Sequence, residues 1–315
     1  MKKTFTAMLA VCVALALALT GCGSAVQTAA GDSTGASTAI ETPATAADTT
    51  AAATGTSAGT SAATTTAQPT AATTTEPIVY PPYPAQQGAP GSYTPQNFFN
   101  PINDGYNEYK LHRPAAPQAG KKYPVLICLH GAGEGGNVRA YPNVSLTSSI
   151  ILDNLRNKIN SDPAAYESYV VLPIDYNIYG IKDIVDRLIS QEQADPDRIY
   201  ITGCSLGGIT TCDFILVYPT VPACAVPVCG CDYSPRRASG ILDLPIRVYH
   251  SADDPVVSVS SSRDFYNKLK ALGDTHIEYF ETNGYGHYCW EYAYNTDVLE
   301  WMYKQNRQTR TLPSQ

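Results

Sequence analysis

A mostly parallel β-sheet covered by helices on both faces is the fold this sequence predicts, and two observations predict it. Short, almost wholly apolar runs recur between residues 125 and 280, and the stretches between them carry apolar residues at three- and four-residue spacing. A strand that is apolar at every position must be buried on both faces. A segment with a helical apolar stripe supplies the cover.

The runs, in chain order, are Val125–Leu129, Tyr169–Leu172, Arg198–Thr202, Ala223–Val226, Ile246–Tyr249 and Ile277–Phe280. The intervening helices are predicted at Ser149–Asn160, Ile181–Gln193, Ile209–Tyr218 and Ser261–Leu272, with a last one from Thr296 to about Gln305. In the second of these, Ile181, Ile184, Val185, Leu188 and Ile189 form one apolar face. The folded domain is expected over 101–307, one unit of ordinary domain size. A proline-rich lead-in over 78–100 precedes it and a polar tail over 308–315 follows.

The first quarter of the chain has another character. Lys2-Lys3, an apolar run to Leu19 and then Thr20-Gly21-Cys22 form a secretory signal over 1–21, too short and wrongly flanked for a spanning helix. Leu19-Thr20-Gly21-Cys22 resembles a bacterial lipobox, which implies a diacylglycerol thioether on Cys22 and a membrane partner through that lipid. From 22 to 77 the composition is Ala, Thr, Ser and Gly, with Val26 and Ile40 the larger aliphatics, and no hydrophobic period. Such a segment reads as a disordered tether spanning about 40 Å as a flexible coil. The formal net charge of −7 argues against nucleic acid as a partner.

Gly203-Cys204-Ser205-Leu206-Gly207-Gly208 follows one predicted strand directly and precedes a helix. A serine hydroxyl is a poor nucleophile unless a sharp turn presents it beside a base, and flanking glycines relieve the crowding of such a turn. At the end of the first strand, Leu129-His130-Gly131-Ala132-Gly133-Glu134 is a small-residue loop that lets backbone approach a substrate. The oxyanion donors are therefore assigned to the backbone N–H groups of Ala132 and Leu206. His130 reads as a residue that holds this loop. Tyr285-Gly286-His287-Tyr288 supplies a histidine on a loop after the last strand, and Asp253-Asp254-Pro255-Val256-Val257 supplies the acid, which resemblance to a known family, through the aspartate directly before Pro-Val-Val, implies to be Asp254. Asp253 and Asp232 are the alternative acids. The chain order Ser205, Asp254, His287 is that of the α/β-hydrolases.

Together, the 129–134 loop, Asp195-Pro196-Asp197-Arg198-Ile199-Tyr200-Ile201-Thr202-Gly203-Cys204-Ser205-Leu206-Gly207-Gly208, Asp254-Pro255-Val256-Val257 and Gly286-His287 resemble an esterase family. It is the predicted peptidase or phospholipase/carboxylesterase group, related to feruloyl and acetylxylan esterases and to polyhydroxybutyrate depolymerases. The resemblance, over about residues 100–305, implies an α/β-hydrolase fold and a serine esterase. Cys204 and Cys289 resemble the cysteines that flank the serine and histidine of tannase-like feruloyl esterases, where they are bridged. Here the second stands one residue out of place. Nine cysteines less Cys12 and Cys22 leave an odd seven, so buried free thiols are the expected state.

The connections 173–197 and 229–245 are too short for a large cap domain. An open site suits a polymeric ester, and the aromatic residues near it suit sugars or phenolic acyl groups. Of these, Tyr176, Tyr285 and Trp290 are the candidates for substrate contact. No metal or nucleotide motif is present, so no cofactor is expected. Two alternatives are a peptidase acting on short peptides and a surface-tethered binding module without catalysis.

Overall fold

The computed structural model describes residues 80–140, 144–231 and 235–310, which lie within one compact unit. The signal segment, Cys22, the tether, the start of the lead-in, Tyr141, Asp232, Tyr233 and the end of the tail lie outside the described residues.

Eight strands form one sheet: β1 (Asn100–Asn103), β2 (Glu108–His112), β3 (Tyr123–Leu129), β4 (Tyr169–Pro173), β5 (Ala194–Cys204), β6 (Cys224–Val228), β7 (Ile246–Ser251) and β8 (Ile277–Thr282). Their order is β1-β2-β4-β3-β5-β6-β7-β8. From β4 to β8 every neighbouring pair is parallel, whereas β2 runs antiparallel to both β1 and β4. The six predicted strands all appear, and β1 and β2 are additions. Pro101 is tolerated in β1 because this strand lies at the edge, where a missing N–H breaks no ladder. β2 was hidden by Lys110, a charged residue that the fold buries completely.

The helices are α1 (Gly135–Arg139), α2 (Ser149–Ser161), α3 (Pro163–Tyr166), α4 (Ile178–Gln191), α5 (Leu206–Val217), α6 (Val259–Ala271), α7 (Trp290–Ala293) and α8 (Thr296–Tyr303). β3 shows how they divide. Val125, Ile127 and Leu129 face one core with α4, α5 and α6, while Leu126 and Cys128 face the other with α2, α7 and α8. Alternate side chains point to opposite faces of a strand, so an unbroken apolar run serves two cores. The stripe foreseen on α4 buries Ile181, Ile184, Val185 and Leu188. Asn177 caps that helix, its side chain accepting from the N–H groups of Tyr179 and Gly180.

The lead-in from Tyr80 is packed into this body. Tyr93, Phe98 and Phe99 are buried. Arg187 of α4 donates to Asp104 at 2.9 Å and to the carbonyl of Pro81. Its guanidinium also lies 3.9 Å from the ring centroid of Tyr83 and 4.6 Å from that of Tyr80. Such a buried charge persists only when paired and hydrogen-bonded.

Parallel strands all deliver their C-terminal ends to one edge of the sheet. The residues after β3, β5, β7 and β8 therefore meet there, and these are the segments that carry the motifs.

Candidate active site

Ser205 stands between β5 and α5 with φ 56° and ψ −120°, a strained conformation for a residue with a side chain. Its N–H donates to Val228 O at 2.9 Å and its carbonyl accepts from Ile209 N at 3.0 Å. So tight a turn leaves no room on either side. A Cβ on Gly203 would sit 2.5 Å from the backbone of Gly207, and one on Gly207 would sit 2.3 Å from Leu129 O.

Ser205 Oγ lies 2.9 Å from His287 Nε2, and His287 Nδ1 lies 2.8 Å from Asp254 Oδ2. Asp254 has a fully shielded side chain, and burial opposes its ionisation. Hydrogen bonds from His250, His287 and the Val256 N–H outweigh that effect and hold its carboxyl well below the usual carboxylate range. An ionised carboxylate can only accept, so His287 Nδ1 carries the proton and Nε2 is left to accept from the serine hydroxyl.

Asp254 is held from further sides. Its Oδ1 accepts from the N–H groups of Val256 at 2.8 Å and Val257 at 3.0 Å. Its Oδ2 also faces Nε2 of the buried His250 at 3.2 Å, and His250 Nδ1 lies 2.7 Å from Ser262 Oγ. By the same reasoning His250 donates to the carboxylate and accepts from Ser262. Asp253, the alternative acid, points elsewhere. Its Oδ1 accepts from the N–H groups of Gly284 at 3.0 Å and Gly286 at 3.2 Å and from the Ser251 hydroxyl, so it anchors the loop that bears His287. The Ser251 hydroxyl leads the interactions that lower its carboxyl below the ordinary range.

Leu206 opens α5, so its N–H has no acceptor within the helix, and Ala132 lies in the wall of the pocket beside Ser205. The loop bearing Ala132 is fastened by Glu134. Its Oε2 accepts from Gly131 N at 2.9 Å and Thr147 Oγ1 at 2.5 Å. Both ring nitrogens of His130 face backbone carbonyls, Gly131 O at 2.7 Å and Ile174 O at 2.8 Å.

The pocket encloses about 550 Å³ with its mouth, and Ser205 and His287 border it together with Ala132, Leu146, Val256, Tyr288 and Trp290. Trp290 thus reaches the pocket, its ring edge-on to His287 at 6.0 Å. The other two aromatic candidates are placed differently. Tyr176 donates its hydroxyl to His130 O at 2.5 Å and packs edge-on to the His130 ring, standing behind the loop and off the pocket wall. Tyr285 packs on Tyr292, is partly exposed and also lies off the wall. Val256 and Glu134 lie inside motifs that were visible, whereas Leu146 and Thr147 lie in a stretch without pattern.

Cys204 donates to Thr147 O at 3.5 Å, and both it and Cys289 are buried free thiols. Among the described residues, no group of three or more His, Cys, Asp or Glu side chains could hold a metal ion.

The fold and this arrangement are those of an α/β-hydrolase. The profile of the phospholipase/carboxylesterase family matches residues 173–303, from the end of β4 to the end of α8. The crystal structure of a thermostable esterase superposes with a TM-score of 0.57 at 26% identity, over 67% of this chain and 64% of that one. An alpha/beta hydrolase of Acanthamoeba polyphaga mimivirus is 27% identical over 141 residues, 38% of this chain and 54% of that protein. Poly(3-hydroxyalkanoate) depolymerase C of Paucimonas lemoignei is 40% identical over 54 residues, 17% of this chain. The matched stretches span about half of the viral protein and 13% of the depolymerase.

Proposed function

We propose that the protein is a serine esterase that cleaves carboxylic esters through an acyl-enzyme. The single observation that carries this reading is the unbroken hydrogen-bond chain from Ser205 Oγ through His287 to Asp254, opening on a largely apolar pocket.

In the first half-reaction Ser205 Oγ attacks the ester carbonyl while its proton passes to His287 Nε2. Asp254 stabilises the imidazolium and fixes its orientation. The negative charge on the former carbonyl oxygen is received by the N–H groups of Leu206 and Ala132. Collapse of this intermediate expels the alcohol, which takes the proton from His287. Water then repeats the sequence on the acyl-serine, releasing the acid and restoring the hydroxyl.

The substrates we propose are acetyl or feruloyl-type esters on plant polysaccharide or a related polymer. Trp290 and Tyr288 in the pocket wall support an aromatic or sugar-bearing group there. The named activity of the depolymerase relative supports a polymeric ester, and that of the thermostable esterase supports an ester over an amide. The sequence of residues 1–77 supports export and a lipid anchor at Cys22, with the enzyme held at the outer face of the membrane.

Acetylated xylan, methyl ferulate, short nitrophenyl esters and peptide amides, each compared against a Ser205→Ala control, test the proposal. Ester turnover abolished by the substitution is the expected result. Activity that survives it, or amides cleaved in preference to esters, overturns the reading.

A further inference from the structure

We infer that Cys212 and Cys231 are partners in a structural disulfide that clamps the nucleophile-bearing turn. Their sulfurs lie 3.1 Å apart, roughly 1 Å beyond the ~2.05 Å of a disulfide bond. Both residues are buried thiols, so little movement separates them from a bond and no solvent layer has to be displaced.

The position gives the bond a use. Cys212 is on α5, the helix that follows Ser205, and Cys231 lies three residues beyond the end of β6. That loop is pressed against the turn: a Cβ on Gly230 would sit 2.3 Å from Ser205 O, and Cys229 takes a positive φ of 42° to make the bend. A covalent tie between residues 212 and 231 fixes the helix and the loop on which the Ser205 backbone rests. With this bridge, five of the seven cysteines in the folded part remain thiols.

The finished fold seals both sulfurs, so the bond is made as α5 docks against the loop. One cysteine thiolate attacks a sulfur of a low-molecular-weight disulfide, forming a mixed disulfide and expelling one thiolate. The other cysteine thiolate attacks the protein sulfur of that mixed disulfide and expels the second. Two cysteines are oxidised by two electrons, the disulfide is reduced to two thiols, and the two cysteine protons end on those thiols. The inference is independent of the proposed activity.

The test uses the full chain in two preparations, one produced in an oxidising compartment and one refolded against oxidised and reduced glutathione. Each is alkylated in denaturant without reductant. No Lys or Arg lies between Arg198 and Arg236, so trypsin leaves both cysteines on one peptide, and chymotryptic cleavage after Phe214 is needed to part them. Linked Cys212 and Cys231 peptides in either preparation are expected, together with a Tm about 5–10 °C above that of the reduced protein. Cys212→Ser should remove the dependence of Tm on oxidant. Alkylation of both cysteines in both preparations, or a link from either one to Cys204, Cys229 or Cys289, overturns the inference.

Discussion

His250 Nε2 stands 3.2 Å from the same carboxylate oxygen of Asp254 that receives His287 Nδ1, so two histidines share one acceptor. The second histidine is a positioning residue. It is buried and off the pocket wall, and Ser262 fixes its orientation from behind.

His250→Ala removes a hydrogen bond to a charged group, worth about 1.5–3 kcal/mol, so kcat/KM should fall roughly 10- to 100-fold. The bond from His250 lowers the Asp254 carboxyl. Without it the carboxyl titrates at higher pH, and activity should decline earlier as the solution is acidified. His250→Gln, which keeps a donor, should restore most of both losses. A pH–rate profile that does not move in the alanine variant would reduce His250 to packing.

Asp254→Asn should lower kcat by about 10³–10⁴-fold, as expected where the residue sets the histidine tautomer. Asp253→Asn disturbs only the loop anchored through Gly284 and Gly286, and should cost about tenfold or less, mainly in KM. Steady-state kinetics on a nitrophenyl ester separate the two.

Gly207→Ala forces a methyl group into backbone atoms on the neighbouring strand and should destabilise the protein by about 3 kcal/mol or more in urea unfolding. At Gly136 in α1 a Cβ meets nothing within 4 Å, and Gly136→Ala should gain about 0.5–1 kcal/mol.

Burial lowers the ammonium of Lys110 to about 8. Between pH 8 and its ordinary value of about 10.4, the unfolded chain binds a proton that the folded chain does not, so this group makes stability rise with pH across that window. Below pH 8 both states are protonated and the penalty is constant. Lys110→Met should therefore raise stability at pH 7 by about 3 kcal/mol at most and flatten the slope between pH 8 and 10, read by denaturant midpoints.

What was legible in the sequence follows from what each residue needs in order to be read. β3, β4 and β6 announce themselves because strands buried on both faces are apolar without interruption, whereas β8, at the sheet edge, exposes Glu278 and Glu281. The turn at Ser205 announces itself because its close contacts exclude every residue but glycine. β1 and β2 pair through backbone and carry Pro101 and Lys110, which no periodicity accommodates. The partners of Glu134, Thr147 and His250 are chosen only when distant loops converge. Tyr176 and Tyr285 lie off the pocket wall, and sequence proximity to a motif does not say which side of a loop a ring occupies.

The clamp of Arg187 on Tyr80, Pro81, Tyr83 and Asp104 means that the part of the chain that folds is longer than the part that bears motifs. A boundary drawn where the first strand starts would strip the aromatic cover from a buried guanidinium and remove Tyr93 and Phe98 from the core. Gene-level trimming of this protein should therefore stop before Tyr80, and chimeras that graft the domain elsewhere should carry its proline-rich preface with them.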